Sequence, residues 1–394
     1  METTKGERIE REHCSAERSS MLDQAIETLG VGAKDLQEFE MEDTFNGHLL
    51  RGYLCRRPDH RYGALYLTHV NGEEETQLIF ATPKLHYPFD RAGTYRFPPA
   101  REVLVFEKLD GTNILGFCYH WRGQAFLTYK LRLSPIVRNS QHGPFLDLWW
   151  EILQQHPEIP SLPALNGCAI SFELYGARNK HLVVYDAPLA VAVLFGVAKG
   201  GEIRPPTDLQ LLEVPSAALV ARLAQAGDYQ ALYQHHQAEC EQGNQLIEEG
   251  ALRGTEGRVW YLRTVVGEVV MLKCKPESVE QIHFAMGAGL SKAIVRATAY
   301  NVLETEAEVS YEGVRTLLLE DYSEEEIEGY RPLIDQVIAQ LNEELQFQAQ
   351  VLAVYDTLDL ELATQKDQVI RALSAQFPKK LMRKVYALLL LERQ

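Results

Sequence analysis

The chain has 394 residues, of which 46% are hydrophobic and 24% charged. That is too long for one ordinary core, so it predicts two or three domains, and its composition excludes wholesale disorder. A formal net charge of −16 argues against general affinity for nucleic acid while leaving room for a local basic groove.

The first residues, METTKGERIEREHCSAERSS, are polar and lack the apolar core of a signal peptide. No apolar run approaches the roughly 20 residues of a membrane helix. The expectation is a soluble, intracellular protein, most simply cytoplasmic. The six cysteines are scattered with no C-x-x-C pair, which indicates neither a disulfide framework nor a zinc ribbon. YQHHQAEC brings His235, His236 and Cys240 together, either as a metal site or as one face of a partly exposed helix.

Residues 1–46 are expected to be helical in part, with MLDQAIETLG stopping at Gly30. HLLRGYLCRR, YGALYLTHV and TQLIFATPKL predict strands separated by turn-rich RPDHRYG and NGEEE. This part is short for an independent barrel and is expected to pack on the strand-rich region that comes after it. From about 101 to 275 the strand signals are dense: REVLVFEKL, ILGFCYHWRG, QAFLTYKLRL, CAISFELYG, HLVVYDA, LAVAVLFGVA, GRVWYLRTV and EVVMLKCK. Helical patterns interrupt them at FLDLWWEILQQH and over 208–250. After Pro276 the spacing is helical throughout. The expected class is α+β with antiparallel sheets, divided into residues 1–95, 96–276 and an all-α region 277–394.

One stretch stands out. VFEKLDGTNILGF sets Glu107, Lys108 and Asp110 between two runs that read as buried strand. Charges are kept out of such positions unless they have partners. A hairpin turn at LDG, with Lys108 solvated, is the plain alternative. A chemical reading needs a neutral amine, and a free lysine is only about 0.04% neutral at pH 7. Burial or nearby cations must depress its pKa. Candidates lie downstream. In VVMLKCK, Lys273 and Lys275 alternate and so share a face of the strand. Glu256 stands just before the strand GRVWYL, and Glu173 ends the apolar run ISFELYG.

In this order the set resembles the covalent nucleotidyltransferase superfamily of ATP-dependent ligases and mRNA capping enzymes. The lysine motif K-x-D-G matches Lys108 to Gly111, and the glutamate strand motif matches Phe172 to Gly176. The E-G-x-V motif matches Glu256 to Val259, and the closing L-K-x-K motif matches Leu272 to Lys275. The matches span about 101–275. Two further stretches are similar to RNA ligases in particular: KLRLSPIV, which would make Arg132 a contact to the nucleotide or the RNA end, and AVLFGV, which would stack Phe195 on adenine. DNA ligases and capping enzymes commonly carry Arg where this chain has Asn113, and they place a β-barrel after the last motif instead of helices. The segment FATPKLHYPF looks like that of phage tRNA-repair ligases.

The resemblance implies an antiparallel-sheet nucleotidyltransferase core, ATP-grasp-like in class, with a C-terminal all-α domain. It implies an ATP-dependent RNA ligase that joins 5′-phosphate and 3′-OH ends through lysyl-AMP and RNA-adenylate, using Mg²⁺ or Mn²⁺. Lys108 would be the nucleophile, with Lys273 and Lys275 neutralising phosphate. Glu256 would bind the metal, and Asp110 would fix the turn and order metal-bound water. Glu173 would accept from the ribose hydroxyls, Glu107 would lie near the adenine amino group, and Asn113 would reach the ribose or the RNA end. No kinase or phosphatase motif is evident, so end-healing enzymes would be separate partners. The helical region would either choose the RNA or form a dimer interface, and PKKLMRK would either hold phosphates or merely offset the acidic surface. The competing expectations are a DNA ligase or GTP-dependent capping enzyme, and a non-catalytic RNA-binding relative.

Overall fold

The computed structural model describes residues 20–89, 94–139, 144–179, 181–224, 228–247, 252–276, 279, 290, 292–303, 308–319, 322, 324–358 and 360–392. Residues 20–29 form α1, which stops at Gly30 in left-handed backbone (φ 61°). The next segment departs from expectation. Leu36–Glu42 is a strand, β1, although only Phe39 in it is buried, and pairing with β2 supplies the order its own pattern lacks. With β2 (Leu49–Cys55), β3 (Leu65–Val70) and β4 (Glu73–Ile79) it forms an antiparallel sheet in sequential order. The β3–β4 turn is Asn71-Gly72, both at positive φ, as a tight hairpin between right-twisted strands requires.

Two further sheets, of five and four strands, come next in the chain. Their elements are β5 (Ala100–Lys108), β6 (Thr112–Trp121), β7 (Gln124–Leu131), α2 (Phe145–Gln155), α3 (Leu162–Asn166), β8 (Ala169–Tyr175), β9 (Ala190–Val197) and β10 (Ile203–Arg204). Then come β11 (Leu219–Ala224), α4 (Tyr229–Gly243), the short pair β12 (Gln245–Leu246) and β13 (Leu252–Arg253), β14 (Gly257–Thr264) and β15 (Val269–Cys274). One sheet has the order β10-β9-β8-β6-β7 and the other β11-β5-β14-β15, with antiparallel pairs throughout. β5 and β6 therefore belong to different sheets, and LDG is a crossing between layers instead of a hairpin turn.

The period-two pleat sorts the side chains. On β5, Leu104 and Phe106 enter the core between the sheets, while Val103 and Val105 face outward beneath Tyr233 of α4. On β15, Met271 points in while Leu272 and Cys274 point out. On β8, Ile170, Phe172 and Leu174 pack outward against α2 and α3 around Trp149. The first sheet contributes Phe39, Leu50, Leu54 and Leu65 to the same inter-sheet core.

Two sequence expectations fail locally. HLVVYDA is not a strand. Val183 makes one parallel bridge to Leu252, and Leu182 and Val183 are spent covering helices of the C-terminal region. The 208–250 region holds β11 and β12 as well as α4, because the edge of β5 takes β11 as its partner. The two-histidine stretch lies on α4. His236 and Cys240 are buried, with the His236 ring 5.3 Å from that of Trp260, whereas His235 is exposed. Among the described residues no three acids, histidines or cysteines cluster as metal ligands.

After β15 the described elements are α5 (Lys292–Leu303), α6 (Tyr311–Leu318), α7 (Glu324–Gly329), α8 (Arg331–Asp356), α9 (Leu362–Ser374) and α10 (Met382–Glu392). α5, α6 and the first half of α8 share one core, and the second half of α8 shares another with α9 and α10. Among the described residues no helix is long and apolar enough to cross a membrane.

Candidate active site

Because Leu104 and Phe106 face the inter-sheet space, so does Lys108, two residues further along β5. The same count on β15 turns Lys273 and Lys275 inward after Met271. On β8, Ser171 and Glu173 alternate with outward Phe172 and Leu174, and Asn113 on β6 is paired directly with Glu173. Gly257 pairs with Lys108 across β5 and β14, which brings Glu256 beside the lysine. Lys108, Asn113, Glu173, Glu256, Lys273 and Lys275 line a cavity of about 250 Å³.

Two motif glycines shape the backbone beside Lys108 and Glu256. A Cβ on Gly111 would sit 2.2 Å from the carbonyl oxygen of Leu174. Gly257 has φ +143°, and a Cβ there would lie 2.2 Å from the carbonyl oxygen of Cys274. At each motif glycine the neighbouring strand of the same sheet leaves no room for a side chain.

Glu256 is the hub. Lys108 donates to its Oε2, and Lys275 lies 2.7 Å from Oε1. Both Glu256 and Lys275 are less than a tenth exposed. Burial alone would raise the Glu256 pKa, but the two ammonium groups outweigh it and hold the carboxyl well below the usual range. Lys273 stands 4.2 Å over the ring of Tyr87, and its N–H donates to the His86 carbonyl. Asp110 clamps the segment after β8. Its Oδ2 accepts from the Val183 N–H at 2.7 Å, and its own N–H donates to the Tyr185 hydroxyl at 2.8 Å. Burial, and then the charge of Glu256, raise the Asp110 pKa.

Glu173 is held differently. Burial pushes its pKa up to about 7, against the pull of Lys108 and Arg132. Asn113 donates to the Ser171 hydroxyl at 2.9 Å and to the Phe172 carbonyl at 3.1 Å, which leaves its buried Oδ1 without a partner. The buried Nε of Arg132 is likewise unpartnered. An orphaned acceptor and an orphaned donor at the wall of one cavity are what a polar ligand would satisfy.

The structure thus brings Lys108, Asp110, Asn113, Arg132, Glu173, Glu256, Lys273 and Lys275 to one cavity. It does not bring Glu107 or Phe195 there. The pleat sends Glu107 to the face opposite Lys108, and Phe195 is packed in the inter-sheet core near Tyr261. Sequence reading missed Tyr62, Lys84 and Tyr87 from the N-terminal segment, His181, the wall of Ile294, Thr298 and Asn301 on α5, and Tyr322 between α6 and α7. FATPKLHYPF carried the only signal for any of these.

No protein-family model and no curated protein matches the sequence. Solved structures do. An archaeal ATP-dependent RNA ligase aligns over 90% of both chains, at 15% identity and TM-score 0.42 in one form and 17% and 0.44 in another. A candidate ATP-dependent DNA ligase from Aquifex aeolicus covers 91% of this chain and 88% of its own, at 14% identity and TM-score 0.39. The chain is similar to ATP-dependent polynucleotide ligases. All these likenesses fall below 20% identity and a TM-score of 0.5, so the chemistry is read from the cavity's own residues.

Proposed function

We propose that the protein is an ATP-dependent RNA ligase of the covalent nucleotidyltransferase superfamily, joining 5′-phosphate and 3′-OH ends through lysyl-AMP and RNA-adenylate. The observation that supports it most is the pair of lysines, Lys108 and Lys275, sharing the buried carboxylate of Glu256 in a cavity also lined by Lys84, Arg132 and Lys273. Five cations around three carboxylates (Asp110, Glu173 and Glu256) suit a polyanionic substrate with a ribose, such as a nucleoside triphosphate.

In this reading the Lys108 amine attacks the α-phosphate. The N–P bond forms, the bond to the β-phosphate oxygen breaks, and pyrophosphate leaves. The Lys108 proton is lost to solvent, because Glu256, held so far below the usual carboxylate range, is a poor acceptor for it. Glu256 instead aims the amine, and Lys273 and Lys275 offset the charge that builds on phosphate. Glu173 accepts from ribose hydroxyls when ionised, and Asn113 Oδ1 and Arg132 Nε take up substrate groups. A 5′-phosphate on RNA then attacks the adenylate, returning the amine. Finally the 3′-OH attacks that activated end and AMP departs. Glu107 and Phe195 have no role in this scheme.

A resident metal ion does not fit the donor set as it stands. Both Glu256 oxygens are engaged by lysines, and Asp110 Oδ2 is engaged by the Val183 N–H. A divalent ion carried in by the triphosphate belongs to the substrate, and no step is assigned to it. Residues 1–95 supply one wall of the site in this scheme, residues 96–276 the reacting groups and residues 277–394 the cover.

The test is sealing of a 5′-phosphorylated RNA strand to a 3′-OH strand, with ATP or GTP, beside DNA strands of the same sequence. Joining of RNA with ATP supports the reading. Joining of DNA alone, or nucleotide transfer from GTP alone, would move the protein to the DNA-ligase or capping branch.

A further inference from the structure

The cavity that holds Lys108 does not stand alone. His181 lines it and also lines a second cavity of about 110 Å³, between α2 and helices α5, α8 and α10. Lys384 and Glu344 line that second cavity and also a third, of about 300 Å³, on α8 and α10. Residues common to their walls thus set the three cavities side by side, from Lys108 to the surface at Lys384.

The chemistry along this line favours a polyanion. Lys384 lines the second cavity together with Arg178, which is itself paired with Glu151 at 2.7 Å. The cavity's carboxylate, Glu344, is neutralised by Arg296 at 2.6 Å. At the surface Lys379, Lys380, Arg383 and Lys384 are all exposed, and none of the four is in an ion pair among the described residues. Some exposed arginines elsewhere, such as Arg122 and Arg331, are matched with glutamates, while others, such as Arg101 and Arg371, are not in an ion pair among the described residues. In a chain with 55 acidic and 39 basic side chains, four cations within the six residues 379–384 make a local basic patch on an acidic protein. Phe347 lines the third cavity, with the Lys384 ammonium 5.5 Å from its ring centre, so a flat apolar face lies next to the charge. A surface cluster of cations beside a cavity with an aromatic face suits a single-stranded backbone and its bases. Glu343, at the same cavity, opposes an anion.

We propose that this line of cavities, from Lys384 with the exposed Lys379 and Lys380 beside it, past His181 to Lys108, is the track along which a single RNA strand brings its end to the reacting lysine. The proposal rests on the ligase reading, and its test separates the two. The full-length protein is titrated into a fluorescent, 5′-phosphorylated RNA oligonucleotide between about 50 and 200 mM salt. The Lys379→Ala/Lys380→Ala/Lys384→Ala variant should bind at least 10-fold more weakly at the lowest salt. Its log–log salt slope should shrink by about 2, since each lost phosphate contact on a single strand counts for about 0.7. Glu343→Gln should tighten binding. The triple variant should still form lysyl-AMP with ATP alone. Unchanged affinity and salt slope in the triple variant would overturn the track. Failure of the wild-type protein to form lysyl-AMP would overturn the ligase reading instead, and the RNA titration would still report on the track.

Discussion

Glu173 offers a perturbation whose size can be worked out. Its carboxyl is moved from an ordinary 4.5 to about 7 by burial. Below pH 4.5 it is protonated in both folded and unfolded chains and contributes nothing. Between 4.5 and 7 the unfolded chain gives up the proton while the folded chain keeps it, so stability falls as pH rises. Above 7 the full penalty applies, about 3 kcal/mol at roughly 1.4 kcal/mol per pH unit. Glu173→Gln removes the penalty, so the variant should be more stable than wild type by about 3 kcal/mol at pH 8 and by less than about 0.5 kcal/mol at pH 4.5. Urea unfolding followed by tryptophan fluorescence measures this. Trp149 is buried in the core behind β8 and Trp260 on β14, on the outer sides of the two sheets that enclose Glu173. A variant no more stable than wild type at pH 8, or equally stabilised at both pH values, would refute the reasoning. A gain in stability with loss of nucleotide binding would mark Glu173 as a charge kept for function at the expense of the fold.

The same geometry sets other outcomes. Nucleotide affinity should fall as pH drops below about 7, where free Glu173 takes up its proton, and titration of ATP binding between pH 6 and 8 measures it. Lys275→Met leaves Glu256 with one cation instead of two. It should slow lysyl-AMP formation by orders of magnitude and lower stability by about 3 kcal/mol, read by single-turnover labelling and urea unfolding. Gly111→Ala drives a methyl onto the Leu174 carbonyl. It should cost about 2 kcal/mol and displace Lys108, seen as a lower melting temperature together with slower labelling.

Much of this was legible in the sequence because strands impose a strict alternation. VLVFEK and VVMLKCK carry apolar residues on both faces, so the lysines at their ends had to point somewhere costly. The pleat turns all three toward the inter-sheet space. The same rule, applied to Glu107, would have shown that it leaves on the face opposite Lys108. Phe195 satisfied an apolar pattern that fits a core as well as a ligand pocket, and pattern alone does not separate the two. HLVVYDA read as a strand because it holds β-branched and aromatic residues, yet Val183 makes only one bridge, to Leu252, and most of the core it fills comes from helices whose position is not written locally. Tyr62, Lys84, Tyr87 and His181 come from irregular backbone, where no period marks which side chains converge.

The most direct measurement of the central claim is transfer of the α-phosphate of radiolabelled ATP to the protein, run on a denaturing gel after pyrophosphate treatment to clear any bound adenylate. The account predicts a labelled band in the wild type, discharged by 5′-phosphorylated RNA and absent from Lys108→Ala. An equally labelled Lys108→Ala, or a wild-type protein that takes up no label after that treatment, would contradict it.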